Sequence, residues 1–325
     1  MKRKMLAMAL AVVMAGTLSA CGGSAESTTG AADSTAAAGS AETAESTETA
    51  GSEETASAEE AGTAEGTAEE ASSAFAGKKL RVAMECGYAP YNWTQPDESN
   101  GAVPIADSSD YAYGYDVMMA KLIAEKLGCD LEIVKLDWDS LVPAVQSGNV
   151  DCVIAGQSIT SERLQMVDFT TPYYYASIVG LVKGDGKFAE AKGLSDLSGV
   201  TCTSQLGTIW YDVCLPQIQD ANILPAQESA PAMLVALEAG RTELVVTDMP
   251  TAKAAVVAYP DLKVLDFNGS GDDFEVSEEE INIGISVQKG NTELLNAINS
   301  VLAELTEDDF NTMMDEAISV QPLSE

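Results

Sequence analysis

The 325-residue chain has no histidine. That absence removes a Ser-His-Asp triad, a His-ligated zinc and a His proton shuttle. Positive charge is scarce as well: 17 Lys and Arg face 51 Asp and Glu, for a formal net charge of −34. Nucleic acid is therefore excluded as a partner, because phosphate neutralisation needs clustered Lys and Arg. An electrostatic grip on anionic lipid fails for the same reason. Aromatics are sparse at 6% of the chain, and about a third of them are crowded before residue 116. None of the six cysteines has the spacing of a zinc site. Neither a metal nor a cofactor is expected, and no residue is assigned a catalytic role.

What is present begins with an address. Lys2, Arg3 and Lys4 precede an apolar run at 5–15, which is long enough for a signal peptide and too short to span a bilayer. Leu18-Ser19-Ala20-Cys21 follows and resembles the lipobox of bacterial lipoproteins. The resemblance implies cleavage after residue 20 and thioether lipidation of Cys21; the other reading is a plain secretory signal with an incidental cysteine. Two acyl chains suffice for stable anchoring, since each buried CH₂ contributes about 0.8 kcal/mol. From 22 to 76 the chain is nearly all Ala, Glu, Ser, Thr and Gly, with twelve acids and no Lys or Arg. Such a stretch cannot bury enough apolar area to offset chain entropy, so a disordered acidic tether is expected over 21–76. Its root-mean-square reach is roughly 40 Å.

The remaining residues, 77–325, carry 14 Lys and Arg against 39 Asp and Glu and otherwise have a globular composition. Residues 79–84 read as a strand, 116–127 as a helix stopped by Gly128, and 131–136 as a second strand. Alternation of this kind points to an α/β fold with largely parallel sheets. An internal echo sharpens the expectation. Residues 145–156 (VQSGNVDCVIAG) match residues 237–248 (LEAGRTELVVTD) in register, each a helix end, a Gly stop, an acid and a buried strand. Two similar lobes follow, with Gly156 and Asp248 at equivalent strand ends. Ligands of open parallel sheets bind beyond those ends.

Several residues at these ends could hold a ligand. Ser158 and Thr160 are helix N-cap types, and a helix start attracts an anion. Arg163, one turn in, could fork onto a carboxylate or be a solvated surface residue. Gly207-Thr208 could add backbone N–H groups and a hydroxyl at a strand-to-helix turn. Asp248, ending a buried strand, needs a cation or hydrogen bonds; it could equally cap the helix that Pro250 opens. Glu85, Tyr88, Tyr91 and Trp93 follow the first strand, and Trp138 precedes a helix start. These aromatics could sandwich an apolar ligand part or simply pack in the core.

In this order the elements resemble the family 3 extracellular solute-binding proteins of amino-acid ABC transporters. The matching stretches run from Gly87-Tyr-Ala-Pro-Tyr91 and Gly114-Tyr-Asp-Val-Met118, through Asp137-Trp-Asp-Ser-Leu-Val-Pro143 and 145–160, to 163–174, 205–208, Glu238-Ala-Gly-Arg241, Thr247-Asp248 and Val287-Gln-Lys-Gly-Asn291. The resemblance implies a two-lobed periplasmic-binding-protein-like fold of type II with two hinge strands. Lobe 1 would comprise 77–175 plus 281–325, and lobe 2 would comprise 176–280. Hinge closure in such proteins is one of the established forms of domain motion.

The family pattern also assigns roles. Arg163, with Gly156, Ser158 and Thr208, would hold a ligand α-carboxylate and Asp248 its α-ammonium. Tyr88 and Trp138 would touch the ligand side chain, with Glu85 near it. Two departures stand out: Ile209 replaces a second Thr, and the loop at 92–112 is longer than usual. The implied partners are a free amino acid, a membrane permease and its ATPase. The protein itself is expected to be a monomer, anchored by lipid at the outer face of the cytoplasmic membrane (periplasmic in a Gram-negative cell).

Two other functions remain open on sequence alone. One is a cyclohexadienyl or arogenate dehydratase on the same fold, with Glu85 as the visible candidate for a general acid. The other is a sensory or adhesive surface lipoprotein. Beyond Cys21 there are five cysteines, an odd number, so buried thiols are expected rather than a disulfide framework; Cys202 and Cys214 are the pair that could bond.

Overall fold

A computed structural model describes residues 74–322. The expected signal peptide, Cys21 and the tether up to residue 73 lie outside the described residues. No helix among the described residues is long and apolar enough to cross a membrane.

Two five-stranded sheets organise the chain. The first has the order Asp130–Lys135, Lys79–Met84, Cys152–Val153, Ser286–Gln288, Val167–Phe169; the second has the order Asn222–Ile223, Thr201–Thr203, Leu244–Asp248, Ile178–Lys183, Leu262–Leu265. In each sheet the fourth strand runs antiparallel to both neighbours while the first three are parallel. The fourth strand is the same kind of segment in both cases. Ile178–Lys183 enters the second sheet from the first, and Ser286–Gln288 re-enters the first from the second. The sheets are thus largely parallel, as the sequence pattern predicts, and the antiparallel exceptions are the strands that cross between lobes.

The two crossings lie side by side. Tyr174–Tyr175 pairs antiparallel with Asn282–Ile283 as a two-stranded ribbon. This is the expected two-lobed arrangement with two hinge strands.

The sequence echo has a structural counterpart. Gly148 and Gly240 both take left-handed φ, +73° and +67°, and end their helices there. Three residues on, Asp151 Oδ2 accepts from the Arg81 N–H at 2.7 Å, and Glu243 Oε2 accepts from the Thr201 N–H at 2.9 Å. In each lobe an acid thus fastens the echoed strand to the start of the parallel strand beside it. Beyond the echo, the helix Tyr115–Leu127 ends at Gly128 in the left-handed region, as expected. The strand Asp130–Lys135 begins one residue earlier than the β-branched pattern indicates.

The longer loop folds into sheet. Gly87–Tyr88, Asn92–Gln95, Tyr111–Tyr113 and Val103–Pro104 pair in that order. The Ala106 N–H then bonds Ile133 O at 2.8 Å, and Ile105 bridges Ile133. The insertion therefore covers an edge strand, the part of a sheet most open to unwanted pairing. Cys86, Cys129, Cys152, Cys202 and Cys214 are all free, four of them buried. The Cys202–Cys214 pair is not a disulfide.

The Asp151 fastening makes a direct prediction. Asp151→Ala leaves the Arg81 N–H without its side-chain acceptor and should lower stability by about 1 kcal/mol. Glu243→Ala, at an exposed position, should cost less. Urea midpoints of the two variants check the order.

Candidate functional site

The segment after the strand Cys152–Val153 is held by the hinge. The Gly284 N–H donates to Gln157 O at 3.0 Å and the Ile159 N–H to Asn282 O at 3.0 Å. Thr160 then caps the helix Ser161–Met166, its hydroxyl accepting from the Arg163 N–H at 3.2 Å. The cap fixes where Arg163 stands. Its guanidinium donates to Ser158 O at 2.8 Å within its own lobe and to Gly207 O at 3.0 Å in the other. It also lies 5.3 Å from the centroid of the Trp138 ring, a cation–π geometry. Desolvation lowers its pKa to about 10, and Glu162 and Asp212 oppose that fall; the group stays charged at neutral pH.

Asp248 is the counterpart in the second lobe. It ends the strand Leu244–Asp248, is 1% exposed, and caps the helix Met249–Ala258 by accepting from the Thr251 N–H at 2.8 Å. Its other oxygen accepts from the Tyr88 hydroxyl, which belongs to the first lobe. Burial pushes its pKa up, against the lowering effect of the Tyr88 and Thr251 hydrogen bonds. The capping role and the buried-charge role read from the sequence therefore coexist.

Glycine at 156 is required by close approach. Its φ is +62°, and a Cβ there would lie 2.7 Å from Tyr88 Cε1. Its N–H donates to the Tyr173 hydroxyl at 3.1 Å, and that hydroxyl donates to Asp116 Oδ1 at 2.6 Å. Asn92 donates to Asp116 Oδ2 at 2.7 Å. Tyr115 stacks on Tyr173 with centroids 5.6 Å apart. The loop at Gly156, the hinge residue Tyr173 and a fully buried carboxylate form one network. Desolvation raises the Asp116 pKa to about 7.

The other expected residues fall as follows. Tyr88 is buried, stacked on Tyr91 at 4.8 Å and 6.2 Å from the Trp210 ring. Thr208 is buried and its hydroxyl donates to Gln205 O at 2.8 Å. Ser158 contributes its carbonyl to Arg163. Trp138, Arg163, Gly207, Thr208 and Ile209 line a cavity of about 410 Å³ together with Gln157. Glu85, Tyr88, Gly156, Ser158 and Asp248 do not line it; all of these but Ser158 are buried. Glu85 is 9% exposed, and burial raises its pKa to about 7.

Sequence reasoning assigned no role to Asp116, Gln205, Tyr173 or Thr251. Asp116 sits in the first turn of a helix, where an acid is ordinary, so nothing in the pattern marks its burial. Among the described residues, the buried polar side-chain atoms without hydrogen-bond partners are Glu85 Oε2, Tyr91 Oη, Gln205 Nε2, Glu238 Oε2, Thr247 Oγ1 and Thr251 Oγ1. Such groups are normally satisfied in folded proteins; Thr247 and Thr251 stand on either side of Asp248 along the chain.

Comparison with known proteins agrees with the fold. The family model described as bacterial extracellular solute-binding proteins, family 3, matches residues 80–316. The chain is 28% identical over 229 residues to the L-cystine-binding protein TcyJ of Escherichia coli (strain K12), covering 70% of this chain and 78% of that one. It is 30% identical over 183 residues to a probable histidine-binding protein of Campylobacter jejuni, covering 56% of this chain and 65% of that protein. Among solved structures, a Streptococcus pneumoniae amino-acid ABC transporter substrate-binding protein bound to L-arginine superposes with a TM-score of 0.65 at 25% identity, over 75% of this chain and 95% of that one. An ancestral amino-acid-binding protein described as a precursor of cyclohexadienyl dehydratase gives 0.60 at 30% identity, over 74% and 95%.

The raised carboxylates set a pH dependence. Glu85, Asp116 and Asp248 bind protons more tightly folded than unfolded. Their contribution to stability is complete below the unfolded values near 4 and is lost as pH rises through the folded values, about 7 for Glu85 and Asp116. The thermal midpoint of the protein without added ligand should therefore rise as pH is lowered from 8 to 5. A flat profile, or one falling toward pH 5 in differential scanning fluorimetry, contradicts this assignment.

Proposed function

We propose a function from one premise: this chain belongs to family 3 of the bacterial extracellular solute-binding proteins. It captures a free amino acid between its lobes and delivers it to an ABC importer, a permease with its ATPase. Relatives named for binding histidine, cystine and arginine support this reading. The observation that carries it is charge of opposite sign on opposite lobes, each group bonded across the boundary: Arg163 to Gly207, and Asp248 to Tyr88. Arg163, with Ser158 and Thr208 beside it, takes the α-carboxylate. Asp248 takes the α-ammonium. Gly156 gives the backbone room to approach Tyr88, and Tyr88 and Trp138 contact the ligand side chain. Lipidated Cys21 and the acidic tether hold the lobes at the outer face of the cytoplasmic membrane.

Magnitudes are sufficient. Hydrogen bonds to charged groups contribute about 1.5–3 kcal/mol each, against about 0.5–1.5 for neutral ones. One guanidinium fork and one carboxylate contact supply much of the roughly 8 kcal/mol of a micromolar site. A second reading, the dehydratase, is favoured by one observation. Burial pushes the Glu85 pKa up to about 7, the range in which a general acid works. Turnover of prephenate or arogenate in a spectral assay would establish that reading over the first.

The binding reading is tested by thermal shift against the twenty amino acids, since a ligand at about 100 times its Kd stabilises by about 2.7 kcal/mol. For the ligand that responds, Arg163→Ala and Asp248→Asn should each weaken binding at least tenfold in isothermal titration. Asparagine keeps the helix cap, so Asp248→Asn tests the charge. Unchanged affinity in both variants removes the assignment.

A further inference from the structure

Asp116 is a buried carboxylate to which the binding reading gives no role. It is 0% exposed in the first turn of the helix Tyr115–Leu127, and no ion pair among the described residues includes it. Its side-chain neighbours are hydrogen-bond donors. Oδ2 accepts from Asn92 Nδ2 at 2.7 Å, and Oδ1 accepts from the Tyr173 hydroxyl at 2.6 Å. Each donor is fixed from behind by a backbone amide. The Cys86 N–H donates to Asn92 Oδ1 at 2.6 Å, and the Gly156 N–H donates to the Tyr173 hydroxyl oxygen at 3.1 Å.

These two amides decide the direction of every bond between them. The Cys86 amide turns the Asn92 carboxamide so that its NH₂ faces Asp116. The Gly156 amide occupies the Tyr173 oxygen, which aims the hydroxyl proton at the same carboxylate. Two runs of donors converge from opposite ends, so the centre must accept from both. An ionised carboxylate has two acceptor oxygens and no hydrogen of its own, whereas a carboxamide would turn an NH₂ toward one of the donors. Desolvation pushes the Asp116 pKa up to about 7, and the Tyr173 and Asn92 bonds oppose that rise.

The outer ends of the two runs are the first-lobe segments that carry ligand groups. Cys86 lies between Glu85 and Tyr88, at a φ of +53° that is uncommon for a residue with a side chain. Gly156 opens the segment that leads to Ser158 and Arg163. The helix start strengthens the first attachment. The Tyr115 and Asp116 N–H groups donate to Pro90 O at 3.1 Å and Tyr91 O at 2.8 Å. Tyr173 directly precedes the crossing strand Tyr174–Tyr175, and its carbonyl accepts from the Tyr115 hydroxyl. Asp116 thus stands where the Tyr88 loop, the Arg163 segment and one crossing strand meet. We propose that Asp116 is a positioning residue for ligand capture: as the shared acceptor of both runs, it locks the Tyr88 loop and the Arg163 segment into the relative placement that grips an amino acid. The inference rests on the amino-acid reading above. Asp116 touches no ligand and acts through Asn92 and Tyr173.

The test exchanges the two central partners. Asp116→Asn sets an NH₂ against an incoming donor, and Asn92→Asp sets two carboxylates against each other. Together they restore every bond: the carboxylate at position 92 accepts from the Cys86 N–H and from the amide at position 116, whose oxygen accepts from the Tyr173 hydroxyl. The probe is whichever of the twenty standard amino acids and L-cystine the wild type binds most tightly. Isothermal titration is run at pH 8, above the Asp116 pKa of about 7, at a temperature where circular dichroism shows the fold intact. A residue needed only for stability lowers the stoichiometry and leaves Kd unchanged; a positioning residue raises Kd at full stoichiometry. Asp116→Asn and Asn92→Asp should each raise Kd about tenfold, and the double variant should return to within about threefold of wild type. Tyr173→Phe keeps the ring and removes the hydroxyl; it should raise Kd about fivefold and add little to Asp116→Asn, because both break the same run. A wild-type Kd in either Asp116→Asn or Tyr173→Phe, or a folded double exchange no better than its single variants, overturns the proposal and leaves the amino-acid reading intact. If Asp116→Asn does not fold, Tyr173→Phe decides: a wild-type Kd overturns the proposal and a raised Kd supports it. Failure of the wild type to bind any of these amino acids overturns that reading and this inference with it.

Discussion

A buried carboxylate must find a partner, and the cleft of this protein is arranged around that constraint. Asp248 lies at 1% exposure at the end of a central strand, where neither water nor a lysine reaches it. A backbone amide and the Tyr88 hydroxyl from the facing lobe hold it. The guanidinium of Arg163 is in the mirror situation, resting on carbonyl oxygens of both lobes. Neither group is neutralised by a full opposite charge. Each is satisfied only by dipoles, which are weaker partners for an ion than another ion. A zwitterion offers both groups what they lack.

Why the two charges stand on opposite lobes follows from the duplicated scaffold. Both sheets use the same strand order, and both fasten the echoed strand through an acid three residues past a left-handed glycine. The strand ends are therefore equivalent positions with different occupants. In the first lobe the position is Gly156, whose missing side chain admits the Tyr88 ring. In the second it is Asp248. One copy gives room and the other gives charge. The Tyr88 hydroxyl, entering through the room, touches the charge. Arg163 is then supplied by the short helix Ser161–Met166, its start fixed by Thr160, whereas in the second lobe the helix Met249–Ala258 starts at Asp248 itself.

Much of this was legible in the residues. The helix stop at Gly128, the cap before Arg163 and the Pro250-marked helix after Asp248 are local signals, governed by backbone conformation that a few neighbouring residues decide. The echo was legible because its glycines, acids and apolar strands recur in register. The family resemblance, read from motifs spread over 78–315, is matched by the family model over 80–316. What stayed hidden depends on tertiary approach. Asp116 looks like an ordinary first-turn acid, and only packing of Tyr115 and Tyr173 against it shows its burial. Gln205 lies in a turn and gains meaning only from Glu85 on the other lobe. The insertion at 92–112 shows no clear periodicity, and its strands pair with one another and with Gly87–Tyr88, a tertiary arrangement no local signal announces.

The same network explains how ligand contact can reach the hinge. Segment 157–159 carries the Arg163 carbonyl contact and is bonded to Asn282 and Gly284, within and just after one crossing strand. Gly156 is bonded to Tyr173, which leads directly into the other crossing strand. A ligand that pulls on Arg163 or presses on Tyr88 therefore acts on both crossings through a few hydrogen bonds. Only a ligand that binds the closed arrangement better than the open one can shift that balance. The direct cross-lobe bonds, Arg163 to Gly207 and Tyr88 to Asp248, are the contacts such a ligand must match or replace. Ion pairs in place of ion–dipole contacts supply that surplus, so ligand charge, more than ligand size, is the property on which closure of this cleft turns.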